Sequence, residues 1–250
     1  MVLRKYPVRL DEARLASLLA ESEASYAQRR PNREDPQHAT RVDYFRMFAE
    51  EEFRVAFLSY AFEKPAGTVL RLLGEAAADL AHVPELGTPL DPGRYIRALT
   101  AALVAGKDDT AAALAAMPRE RFTNPSIQSD ELTYLIALTL SSLVRGDKAE
   151  AARLSAKSAT RAGERDVPQA TLRTWDTLRA LLAAIVAGDP PAFDVAVTAR
   201  NAHVTQQHGK ERAAPKWLLD VEGLAGIKLA RAAGLKAADS VYLPASLIGS

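Results

Sequence analysis

The sequence contains no cysteine, which excludes disulfides and thiolate chemistry and suits a reducing compartment. It also lacks an uninterrupted apolar window of the roughly 18 residues that a membrane span requires. The basic start of the chain, MVLRKYPVRLDEARL, is not followed by an apolar core, so we do not expect a secretory signal peptide. Secretion and membrane insertion are therefore not predicted.

The sequence also lacks an excess of charge of one sign, because the formal net charge is only +1. Such a balance gives no global field that would select nucleic acid or an acidic membrane. No alternating apolar and polar run is long enough to predict a β-strand. What is present is a globular composition, 48% hydrophobic and 25% charged, rich in the strong helix formers Ala and Leu.

A recurring pattern organises the middle of the chain. An apolar helix ends in Gly, and a helix rich in small residues follows after a charged step. The glycines are Gly106, Gly146 and Gly188, which are separated by 40 and 42 residues. A period near 40 is typical of stacked helical hairpins. We therefore predict an all-α single domain, a right-handed array similar to TPR repeats and α-solenoids.

Three parts of this domain can be assigned from the sequence. Aromatic-rich helices occupy residues 10–82, hairpin repeats residues 91–208, and a C-terminal helix with a packed tail residues 213–250. Capping residues, prolines and glycines set the helix limits. The predicted helices are 11–28, 40–62, 67–82, 92–105, 108–117, 129–145, 148–162, 168–187, 191–208 and 214–233. The helix at 40–62 carries five of the seven phenylalanines.

Motifs that carry chemistry are absent from the sequence. It contains no HExxH, no phosphate loop, no GxGxxG and no GxSxG. His203 and His208 are five residues apart on one helix, too far around it to share a metal, and are expected to be solvated. The triplet Glu50–Glu51–Glu52 is expected to face solvent between Arg46 and Arg54. We predict no catalytic, cofactor-binding or metal-binding residue.

Two exposed surfaces are the candidate partner-binding residues. One is the polar face of the aromatic helix, with Arg46, Glu50, Glu51 and Arg54. The other is the basic approach to Trp217, with Lys210 and Arg212. Aromatic residues beside basic ones are common in binding hot spots. Trp175 and Trp217 are otherwise expected to pack on the core, and Trp217 to share a helical stripe with Val221 and Leu224.

In the C-terminal segment, a helix with Leu224, Ala225, Leu229, Ala230 and Arg231 is followed by Tyr242, Leu243 and Pro244. This pattern resembles the closing segment of the immunity protein 49 family of bacterial polymorphic toxin systems. The segment 91–109 is similar to the middle region of that family, and the resemblance covers about the last two thirds of the chain. It implies an all-helical protein without catalytic residues. It also implies that such a protein binds and neutralises a cognate toxin domain in the cytoplasm of the producing cell.

Two other functions fit the sequence. A general helical-repeat scaffold with a role in regulation would bind peptides or proteins through a groove lined by Asn, Lys and Arg at matched repeat positions. The sequence lacks this recurrence. An all-α enzyme would need polar residues from distant helices to converge, with perturbed pKa values, in an apolar pocket. The sequence leaves the toxin and the oligomeric state open.

Overall fold

A computed structural model describes residues 2–33, 35, 37, 40–122, 131–236 and 239–249. Within these ranges the chain forms ten α-helices and several short 3-10 helices, with no β-strand. The α-helices are α1 (Glu12–Arg29), α2 (Val42–Ala61), α3 (Ala66–His82), α4 (Pro92–Val104), α5 (Asp108–Ala115), α6 (Glu131–Val144), α7 (Lys148–Ala162), α8 (Gln169–Ala187), α9 (Pro190–Lys210) and α10 (Val221–Ala232). The all-α single domain predicted from the sequence is confirmed.

Local signals explain the starts of several helices. The carboxylates of Asp11, Asp91, Asp147 and Asp189 each accept a hydrogen bond from a backbone N–H in the first turn of the following helix. These bonds satisfy N–H groups that have no partner within the helix. The predicted start of the helix at residue 129 lies outside the described residues.

The three glycines of the repeat end α4, α6 and α8 in the left-handed region. Their φ angles are +67° for Gly106, +73° for Gly146 and +62° for Gly188. Glycine adopts this conformation without the steric cost that a Cβ would add. The pairs α4–α5, α6–α7 and α8–α9 are therefore the predicted helical hairpins, and the two helices of each pair pack together.

The arrangement of these hairpins as a solenoid is not confirmed. In a solenoid each repeat contacts only its neighbours. Here α10 packs against both α4 and α8, and α4 also contacts α3, α5 and α6. A Cβ placed on Gly226 would lie 2.5 Å from Leu181 Cδ2, so the small residues of α10 allow a close approach to α8. The C-terminal helix α10 thus packs against helices from the middle of the chain and makes the arrangement a closed bundle.

The predicted continuous helix at 214–233 is wrong in its first part. Residues Pro215–Trp217 form a 3-10 helix, and α10 begins only after Asp220. The Asp220 carboxylate accepts a hydrogen bond from the backbone N–H of Gly223. The backbone N–H of Asp220 donates to the Tyr242 carbonyl at 3.0 Å. This contact with the tail interrupts the helix, so Trp217 does not share a helical stripe with Val221 and Leu224.

The C-terminal tail folds back onto the bundle, as predicted. Tyr242, Leu243 and Leu247 are buried in the common core, and Val241 and Ile248 pack against it. Arg231 donates hydrogen bonds to the carbonyls of two tail residues. None of the described helices is long and apolar enough to cross a membrane.

Candidate functional site

A cleft of about 230 Å³ brings the two predicted surfaces together. Glu50 and Arg54 reach it from α2, and Trp217 reaches it from the 3-10 helix that packs against α2. The remaining lining comes from α4, α8, α9 and α10. Three of the seven candidate residues therefore share one concave site.

Aromatic rings form the apolar walls of this cleft. Phe53 and Phe57 stack with their centroids 5.9 Å apart and their planes 23° from parallel. The half-buried Trp175 and Trp217 complete the walls. Trp175 also packs close to the first turn of α4, because a Cβ on Gly93 would lie 3.3 Å from its ring. Trp175 therefore serves both core packing and the cleft.

Cationic groups surround the aromatic walls. Arg97 lies 3.6 Å from Glu50, and Lys216 Nζ lies 4.9 Å from the centroid of the Trp217 ring. Lys216 also pairs with a carboxylate of the preceding loop at 3.0 Å. Arg54 is exposed, and no ion pair of its guanidinium occurs among the described residues. Within the described part of the chain, the rim thus carries one cation, Arg54, without a carboxylate partner.

A buried ion pair forms the floor of the cleft. Arg200 Nε and Nη2 donate to the two oxygens of Asp220 at 2.7 and 2.6 Å, and Arg200 Nη1 donates to Thr177 Oγ1 at 3.3 Å. Glu222 lies 3.8 Å from the same guanidinium. Burial alone would lower the pKa of Arg200, but these carboxylates outweigh it and raise that pKa. The pair is bidentate, which fixes α9 against the start of α10.

His203 lies beside this floor. Its ring meets the Trp217 ring edge-on, with centroids 6.1 Å apart and planes at 75°. Burial, and then the charge of Arg200, lower the pKa of His203. The imidazole is therefore neutral at pH 7, and it adds no cation to the cleft.

The other candidate residues lie outside the cleft lining. Arg46 is one turn before Glu50 on α2, 3.9 Å from Asp43. Lys210 and Arg212 are exposed at the end of α9, where Arg212 Nε donates to a backbone carbonyl. Glu51 is buried and lies 3.6 Å from Arg29, so the prediction that it is exposed is wrong.

The solvent-facing prediction also fails for Glu52, which is only 2% exposed. It lies 3.4 Å from Arg33, which also donates two hydrogen bonds to Asp79 at 2.9 and 2.5 Å. Burial, and then the neighbouring Asp79, raise the pKa of Glu52, while burial also raises the pKa of Asp79. Arg29 at the end of α1 and Arg33 shortly after it cover this face of α2, which explains why Glu51 and Glu52 are buried.

His208 contradicts the prediction that both histidines are solvated. It is fully buried, with Nδ1 at 3.1 Å from the Tyr242 hydroxyl and its ring edge-on to Tyr6 at 5.4 Å. Burial lowers the pKa of His208 to about 4. The Tyr6 hydroxyl donates to the Leu218 carbonyl at 2.8 Å. This cluster joins the N-terminal segment, α9 and the tail.

Sequence reasoning missed the cleft floor and both buried clusters. No local pattern marks Arg200, because its partner Asp220 lies in another element. A cap signal at Asp220, an acidic residue before an apolar run, was the one local feature that could have been found. No group of three or more His, Cys, Asp or Glu side chains suited to a metal ion occurs in the described part of the chain.

The fold defines an all-α protein in which one concave surface combines aromatic walls with a cationic rim. The sequence model of the Immunity protein 49 family matches residues 48–247. The chain belongs to this family. The match begins within α2 and extends into the packed tail, so it includes every element that lines the cleft. No curated protein and no solved structure matches the chain.

Proposed function

We propose that this protein binds and neutralises a cognate secreted bacterial toxin in the cytoplasm of the cell that produces it. Membership of the Immunity protein 49 family over residues 48–247 is the observation that carries this proposal. Neutralisation occurs by contact: the protein covers the toxin active site and does not itself catalyse a reaction.

The proposed contact surface is the cleft and its rim. Glu50, Arg54 and Trp217 line the cleft, and Arg46, Lys210 and Arg212 are the candidate contact residues outside its lining. Glu51 is left out, because it is buried beneath Arg29. The mixture of aromatic and arginine side chains is the one in which binding energy concentrates at protein interfaces.

A preformed surface favours such an inhibitor. The bidentate Arg200–Asp220 pair and the packed walls hold the cleft in place before a partner arrives. Binding to an ordered surface costs less conformational entropy than binding that must order loops first. An inhibitor of this kind needs no reactive group, which agrees with a family of immunity proteins.

The enzyme alternative receives less support from the geometry. The carboxyl groups with the most strongly raised pKa values, Glu52 and Asp79, lie beneath Arg33 and are not among the residues that line the cleft. Their environment is that of a buried ion cluster joining α2 and α3 to the chain after α1.

The test is co-expression with the toxin domain encoded next to this gene. We expect the two proteins to purify together and this protein to restore growth of cells that express the toxin. Failure of both readouts with a folded, expressed protein would refute the proposed function. A growth rescue without a stable complex would instead contradict neutralisation by covering the active site.

A further inference from the structure

One cation that lines the cleft has no ion-pair partner among the residues that the structure describes. The other cationic side chains of the lining each lie within 4 Å of a carboxylate, whereas Arg54 has no ion pair among the described residues. Arg54 is exposed and projects from the middle of α2, next to the stacked rings of Phe53 and Phe57. A partner carboxylate can therefore gain a charge-assisted hydrogen bond here without displacing an existing one.

Apolar surface adjoins this cation. The rings of Trp175 and Trp217 face the same cleft, and Trp217 is held between His203 and Lys216. Half-buried indole rings of this kind commonly become fully buried by a partner at interface hot spots. The site can thus bind one anionic group of a partner next to one apolar group.

The size of the cleft limits what can occupy it. Its volume of about 230 Å³ is below the roughly 300–1,000 Å³ of pockets that enclose drug-sized ligands. One or two side chains of a protein segment fit this volume better than a nucleotide or a larger cofactor.

We propose that the cleft receives an acidic side chain and the aromatic or large apolar side chain next to it, both from one exposed segment of the protein partner. The carboxylate pairs with Arg54, and the apolar side chain packs between Trp175 and Trp217. This inference rests on the proposed function, because it names the chemistry of the partner at the same surface.

The inference can be tested without the toxin. The probes are the blocked peptides acetyl-Gly-Asp-Phe-Gly-amide and acetyl-Gly-Asn-Phe-Gly-amide, with adenosine monophosphate as a third probe. Binding is followed by the fluorescence of the two cleft tryptophans. We expect the Asp peptide to bind about tenfold more tightly than the Asn peptide, since only the former makes a charge-assisted contact.

Two variants assign that difference to a residue. Arg54→Glu should abolish the preference for the Asp peptide. Lys157→Glu introduces the same charge change at an exposed position on α7, which does not line the cleft, and should leave the preference unchanged. Circular dichroism melting curves establish that both variants fold.

Several results would overturn the inference. These are equal affinity for the two peptides, no binding of either, an unchanged preference in Arg54→Glu, or tighter binding of adenosine monophosphate than of the Asp peptide. Growth rescue by the wild-type protein separates the two proposals. Rescue without peptide discrimination refutes only the acidic-segment inference, whereas discrimination without rescue or a toxin complex refutes only the immunity function.

Discussion

Replacing Asp220 with alanine is expected to destabilise the protein by about 4 kcal/mol. Asp220 has two roles in the structure: it binds Arg200 through both carboxylate oxygens, and it caps α10 through Gly223 N. The alanine variant removes both interactions and leaves a buried guanidinium whose remaining carboxylate neighbour is Glu222, at 3.8 Å.

The magnitude follows from these two losses. Breaking a buried ion pair by removing one partner costs about 3–5 kcal/mol, and the nearby Glu222 argues for the lower end of that range. Losing an N-cap side chain costs about 1 kcal/mol more. For a domain of this size, a loss of about 4 kcal/mol lowers Tm by about 10 °C.

Urea unfolding, followed by tryptophan fluorescence, is the suitable assay. Trp175 and Trp217 both line the cleft, so their signal reports on the region that changes. Asp220→Asn keeps a capping side chain and should be about 1 kcal/mol more stable than Asp220→Ala. The double variant Arg200→Met/Asp220→Asn should recover part of the loss, because no unpaired charge remains buried. An Asp220→Ala variant within about 1 kcal/mol of the wild type would refute this reasoning.

Three further predictions concern pH and backbone conformation. Because the pKa of Glu52 is raised in the folded protein, stability should fall as pH rises from about 4.5 towards that raised pKa. Tm measured from pH 5 to 9 should therefore vary less in Glu52→Gln than in the wild type. The pKa of His208 is lowered from 6.5 to about 4, so between these values the folded state binds fewer protons than the unfolded chain. The free energy of unfolding should therefore fall by up to about 3 kcal/mol as pH falls through this window. Urea unfolding should show no such loss in His208→Phe. Gly146→Ala should lower the free energy of unfolding by about 1 kcal/mol, because φ is +73° at this position, although nothing lies within 4 Å of the added Cβ. The matched control is Gly67→Ala at the start of α3, where the added Cβ is equally unobstructed. This control should be neutral or stabilising in the same thermal melts.

Residues that act locally could be predicted from the sequence. Asp91 and Asp147 cap the helices that follow them, and Gly146 ends α6, because each signal involves neighbours within one turn. The family resemblance in the last two thirds of the chain is confirmed by the match over residues 48–247.

Residues whose environment depends on distant elements could not be predicted. Glu52 is buried because Arg33 folds over it, although its position on α2 resembles a solvated face. The helix expected at 214–233 is interrupted because Asp220 N–H donates to the carbonyl of Tyr242, a contact that no local window contains. Arg54 and Trp217 are far apart in the sequence, and only the fold brings them to one cleft.

Amide hydrogen exchange of this protein with and without its toxin most directly tests neutralisation through the cleft surface. Toxin binding should slow exchange at residues 50–57 of α2 and at residues 214–217, which together form two walls of the cleft. The end of α7, which does not line the cleft, should exchange at the same rate in both states. Protection confined to α7 or absent everywhere, in a sample where the complex has formed, would contradict the proposed mode of binding.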